Sequence, residues 1–215
     1  MNKKEKSLKN LTIYITYLVI FWGFYRLLIK LPDQIEEIFI KPFFWLLPLI
    51  HLLKIEKEKI SSLGISLKNL FPAVYLSLGL GSLFVFEGLL ANYIKYGGLN
   101  FSANLGDKLI FSTFALSVVT AIVEEITFRG YIFNRIWKIL GKEIPANLVT
   151  TFFWTLIHVP IVIFVWKYPL LDSVIYLSLT AIFGAGSSFI FARTQNIVSS
   201  ILLHVLWEWP IILFR

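Results

Sequence analysis

Two adjacent carboxylates, Glu124 and Glu125, and an arginine, Arg129, stand at one end of a strongly apolar run that reads Ala121-Ile122-Val123-Glu124-Glu125-Ile126-Thr127-Phe128-Arg129-Gly130. Ionisable groups at membrane depth are costly, at about 2.5–3.5 kcal/mol for a central Asp, Lys or Arg on insertion scales. Two histidines in later apolar runs, His158 and His204, give those charges a reason to be there. Glu125 and Arg129 are four apart on one helical face and form a natural ion pair. Glu124 points about 100° away from Glu125 and is left for chemistry. His204 and Glu208 are also four apart, and Trp154 precedes His158 by one turn, where it walls a cavity or stacks on the imidazole. A carboxylate beside two imidazoles in a water-excluding site suits hydrolysis, with Glu124 taking a proton from water. The histidines have three roles open to them: to bind a divalent metal such as zinc, to orient the water, or to stabilise a tetrahedral oxyanion. The chain has no cysteine, and no serine lies in a nucleophile motif, so activated water is preferred to an acyl-enzyme.

The elements that carry these residues are long apolar runs. Of 215 residues, 57% are hydrophobic and 15% charged, and the mean hydropathy is +0.76. A soluble domain has about 45–50% apolar and about 25% charged residues, so this chain is displaced toward lipid on both counts. It reads as an all-α, polytopic helical bundle of about seven transmembrane helices, with a range of six to eight. The expected spans run from about 11 to 29, 38 to 53, 70 to 93, 109 into the basic residues Arg129–Lys142, 147 to 165, 171 to 191 and 197 to 214. The second is short and carries Pro42 and Pro48, so a tilted or partly re-entrant segment is one reading. The polar stretch 31–37 reads as an outside loop and 54–59 as an inside one. Basic residues alternate between loops so that the N-terminus is cytoplasmic in a multi-pass protein of the cell membrane. The formal charge of +7 lies in those loops, which favours contact with an anionic lipid bilayer over nucleic acid. Residues 3–6 are a lysine-rich head followed by a run without a cleavage site, a retained anchor. One membrane domain over 1–215 is expected, with N-terminal helices in 1–108 and the catalytic core in 109–210. At about 1.5 Å per residue, Glu124 and His158 lie roughly 16 Å and His204 roughly 12 Å from the inner surface, agreeing within one turn.

The motifs Glu124-Glu125-x-x-x-Arg129, Trp154-x-x-x-His158 and His204-x-x-x-Glu208 resemble the three motifs of the CPBP family, also called Abi or CAAX protease-like. The flanks Phe128-Arg129-Gly130-Tyr131-Ile132, Gly184-x-Gly186 and Ala192-Arg193-Thr194 agree. The resemblance covers about 109–210. It implies an intramembrane peptidase with a peptide or protein substrate at the membrane, cutting near its inner face. It also implies Glu124 as the base, His158 and His204 as the other essential groups, and Glu125 with Arg129 as their support. The chain departs from the pattern at Glu208, where the family has Asn or Asp; an ionised Glu accepts hydrogen bonds but donates none. Glu208 is then expected to accept from His204 or to join a metal. The other reading is a catalytically idle Abi-type protein that confers bacteriocin immunity or regulates a membrane partner. A proton-coupled transporter using Glu87 and Glu124 would show a two-fold repeat, which the sequence lacks. Glu87, deep in the third run, pairs with a loop lysine or lines the substrate route, and His51 is interfacial. Gly184 to Ser188 are small residues that permit close helix packing.

Overall fold

A computed structural model describes residues 3–101 and 110–214. Seven helices follow one another: α1 (Lys3–Leu28), α2 (Asp33–Glu56), α3 (Leu70–Tyr96), α4 (Ile110–Leu140), α5 (Glu143–Trp166), α6 (Leu170–Thr194) and α7 (Ile197–Phe214). Among the described residues, the first six are long and apolar enough to cross a bilayer, and α7 is shorter. The large apolar side chains left outside, such as Phe39, Phe71, Phe111 and Leu170, are spread along the helices as a lipid-facing surface requires. The boundary expected between residues 108 and 109, and the start of the fourth span there, lie outside the described residues, as do residues 1 and 2.

The second span differs most from its expectation. It is neither short nor broken: its helix starts at Asp33, so Glu36 and Glu37 belong to a helix and not to a loop. Proline has no N–H to bond the carbonyl four residues back, so Pro48 leaves the Phe44 carbonyl without its helical donor. The Tyr17 hydroxyl supplies one at 3.1 Å, and the Tyr14 hydroxyl bonds the neighbouring Trp45 carbonyl at 2.7 Å. Tyr17 of α1 thus supplies the donor that the proline of α2 lacks.

Three helices widen into π turns, where the chain bonds five residues back. These are Glu36–Ile40 in α2, Ile126–Phe133 in α4 and Ile161–Trp166 in α5, each next to an ionisable residue of the interior. α7 packs against α3, α4 and α6, and α5 against α6 and α1. Near the N-terminal face the loop after α2 is clasped to the α6–α7 turn. Buried Asn196 donates from Nδ2 to the carbonyls of Ser66 and Lys68, at 2.9 and 2.7 Å, and accepts from the Val198 amide at 2.9 Å. Gly64 completes the clasp at φ +81°; a Cβ there would stand 2.8 Å from the Phe191 ring. The same face gathers Lys4, Lys6, Lys57, Arg135 and Lys138 around one opening. The α1–α2 turn and the end of α5 meet at the opposite face.

Candidate active site

Of the acidic pair, Glu125 meets Arg129 as the spacing predicts. Glu125 is fully buried, and its Oε1 accepts from Arg129 Nη1 at 2.9 Å. Arg129 Nη2 also donates to the Gly184 carbonyl at 3.0 Å, and the guanidinium lies 4.5 Å from the Trp154 ring centroid. Gly184 has to be small here: a Cβ would come 2.8 Å from Trp154 Cδ1. Two further donors complete Glu125, Ser187 Oγ to Oε2 at 2.8 Å and His204 Nδ1 to Oε1 at 2.7 Å. Glu125 is therefore the hub that ties α4 to α6 and α7.

His204 consequently does not pair with Glu208, although the two share a face. Glu208 Oε2 instead accepts from Ser117 Oγ of α4 at 2.8 Å. The reason is access: a fully buried carboxylate already holding Arg129 lies beside His204. Trp154 behaves as its spacing predicts, with its ring centroid 4.6 Å from that of His158 and 5.6 Å from that of His204. His158 Nδ1 lies 2.7 Å from the Trp154 carbonyl, which can only accept. The proton therefore sits on Nδ1, and a neutral ring keeps a lone pair on Nε2.

Glu124, expected to be free, is not. Its Oε1 accepts from Lys41 Nζ at 2.7 Å, across 83 residues of sequence. Lys41 is 3% exposed, pairs also with Glu37, and lies 5.7 and 5.5 Å from the rings of Trp22 and Trp45. Thr120 Oγ1 donates to Glu37 Oε2 at 2.9 Å, and Arg26 pairs with Glu36 and stands 3.6 Å from Glu37. The result is a buried chain of alternating charge, Arg26 to the two glutamates to Lys41 to Glu124, that joins α1, α2 and α4. Each charge in it offsets the desolvation cost of its neighbours. Sequence reasoning missed this chain. The signal was present in Glu37 and Lys41, four residues apart, and in two cations inside apolar runs.

A cavity of about 250 Å³ lies against these groups. Glu124, His158 and Glu208 all line it, with Glu36, Glu37, Lys41, Ser117, Thr120 and Tyr176. His204 does not line the cavity; it lies against Trp154 and Glu125. Ile29, Lys30, Leu31, Asp33, Val165 and Trp166 line the cavity too, so it opens away from the N-terminal face. Glu87 is half-buried on α3 and does not line the cavity, and His51 is exposed on α2.

For a metal, the histidines do not make a ligand set. Among the described residues no three His, Asp or Glu side chains are grouped to hold an ion. Lys41 occupies Glu124 Oε1, and His204 does not line the cavity that Glu124 and His158 share. What the arrangement offers is a carboxylate with one oxygen, Oε2, outside the Lys41 bond, in a chamber that an imidazole with a lone pair on Nε2 also lines.

Residues 106–210, just under half of the chain, match the family described as type II CAAX prenyl endopeptidase Rce1-like. No curated protein and no solved structure matches the chain.

Proposed function

Taking residues 106–210 as an Rce1-like core within the CPBP family, we propose that the protein is an intramembrane peptidase that cleaves a peptide bond with water activated by Glu124. The observation that carries this reading is the buried chamber in which Glu124, His158 and Glu208 meet, each brought by a different helix of that core. Glu124 Oε2 removes a proton from a chamber water, and His158 Nε2 accepts the water's second hydrogen bond and aims its oxygen. A general base so placed accelerates attack by about 10²–10⁴-fold. The other groups work at one remove. Glu125 fixes His204 and Arg129, and Trp154 is held between Arg129 and His158, so the chamber wall keeps its shape during turnover. The apolar surround limits bulk water, and the lipid-facing helices deliver a substrate that is itself membrane-bound.

The test is cleavage by purified protein in lipid vesicles, against fluorogenic peptides with and without a prenylated C-terminal C-a-a-X sequence. Wild type is expected to cut at least one of them, and Glu124→Gln and His158→Ala to lose most of that activity while remaining folded. Activity that survives Glu124→Gln would assign the chemistry elsewhere. A wild-type protein that cuts nothing, while its cellular phenotype survives both substitutions, would make it a non-catalytic membrane protein.

A further inference from the structure

Peptide hydrolysis needs a donor as well as a base, because the carbonyl oxygen takes on negative charge as water adds. Tyr176, Lys30 and the indoles of Trp22, Trp45 and Trp166 line the chamber and carry N–H or O–H groups. The donor bonded to Glu124 itself, however, is Lys41, and the remaining polar groups around Glu124 are acceptors or already spent. Glu36, Glu37, Glu124 and Glu208 are carboxylates. The Ser117 and Thr120 hydroxyls are spent on Glu208 and Glu37. The Nδ1–H of His158 donates to the Trp154 carbonyl, and the Nδ1–H of His204 donates to Glu125. Arg26 is committed to Glu36 and Glu37 at the far side of the chain of charges. Lys41 differs from all of these. Its ammonium has three N–H groups, of which one goes to Glu37 and one to Glu124 Oε1.

We propose that Lys41 is a catalytic residue of this reaction, its third N–H donating to the substrate carbonyl oxygen as that oxygen becomes an oxyanion. The assignment rests on the peptidase reading above. Its geometric ground is the shared carboxylate. A water in reach of Glu124 Oε2 attacks a carbonyl carbon directly beside it, and that carbonyl's oxygen then falls next to the cation on Oε1. The rings of Trp22 and Trp45 and the Glu37 carboxylate hold the ammonium in place, so little reorganisation is needed when charge develops. The step balances as follows. The water oxygen bonds to the carbonyl carbon, its proton passes to Glu124 Oε2, and the carbonyl π pair moves onto oxygen beside Lys41. On collapse the C=O bond re-forms, the C–N bond breaks, and the proton on Glu124 passes to the departing nitrogen. A carboxylic acid and an amine leave, and both residues return to their starting state.

Lys41→Met tests this by turnover and by binding. The kcat is expected to fall by about 10²–10³-fold, the usual effect of losing one oxyanion donor, with KM changed by no more than about threefold. Binding is compared for two uncleavable versions of a cleaved peptide, a phosphinate whose oxygen imitates the oxyanion and a reduced amide that has no oxygen there. Lys41→Met should weaken the phosphinate by about 100-fold and leave the reduced amide nearly unchanged, and Lys41→Arg should restore part of the difference. Equal weakening of both analogues indicates a structural role and overturns the assignment, as does a kcat within about threefold of wild type. If Lys41→Met does not fold, Lys41→Gln carries the same comparison without the charge. Glu124→Gln run alongside separates the two claims. An active wild type, a dead Glu124→Gln and a normal Lys41→Met would remove Lys41 alone, whereas a wild type that cuts nothing removes both.

Discussion

Glu125→Gln removes one negative charge from the most enclosed ion pair among the described residues. Arg129 has 0% side-chain exposure there, so once the charge is gone its cation has no water to turn to. Breaking a buried pair by removing one partner costs about 3–5 kcal/mol. The Gly184 carbonyl at 3.0 Å and the Trp154 ring at 4.5 Å remain to Arg129, which places the loss near the lower end, at about 3 kcal/mol. A chain of 215 residues loses roughly 2–4 °C of Tm per kcal/mol, so a fall of roughly 6–12 °C is expected. Thermal unfolding in detergent, followed by tryptophan fluorescence, measures it. The companion is Glu125→Gln with Arg129→Gln, which leaves no stranded charge and should melt well above the sum of the two single losses. The neighbouring Glu124→Gln supplies the contrast, because Lys41 keeps Glu37 as a partner and Tm should drop by much less. A Glu125→Gln protein that melts within about 2 °C of wild type, or a double variant that is merely additive, would refute the argument that this pair is held without solvent.

Gly184→Ala should lower Tm through overpacking of about 1–3 kcal/mol, because its Cβ would meet Trp154 Cδ1 at 2.8 Å and Trp154 is fully buried. The same displacement should reduce cleavage, and a variant that matches wild type in both would show that Trp154 has room to move. Treatment with 1,10-phenanthroline should leave cleavage within about twofold of the untreated protein, since the imidazoles are not grouped as metal ligands. Loss of activity that added zinc restores would return His158 and His204 to a metal.

The parts of the site legible in the sequence are the local ones. Glu125 with Arg129, and Trp154 with His158, are each four residues apart, and helix geometry alone brings such residues together. The spans were legible for the same reason, since α3, α6 and α7 are continuous apolar runs. What was hidden depends on tertiary approach. Lys41 and Glu124 meet across 83 residues, and nothing local in either helix announces the other. His204 shares a helical face with Glu208, yet it bonds to Glu125 from another helix, because a fully buried carboxylate with an arginine already attached lies closer. Glu36 and Glu37 look like loop residues because they are charged and follow a proline. Folded, they are the inward face of a helix whose cost is met by Arg26 and Lys41. Pro48 was misleading in the opposite sense, since Tyr17 of a neighbouring helix supplies the donor that the proline lacks.

The chamber opens beside Ile29, Leu31, Asp33 and Trp166, while the lysines and arginines gather at the other end of the bundle. Positive residues are retained on the cytoplasmic side of a membrane. If the basic end faces the cytoplasm, the mouth of the chamber looks outward, and the timing of the proposed cut would follow from it. A peptide made in the cytoplasm would reach Glu124 only after its scissile segment had crossed the bilayer, so cleavage would report that export had happened, and the freed fragment would be released without passing back through the cell.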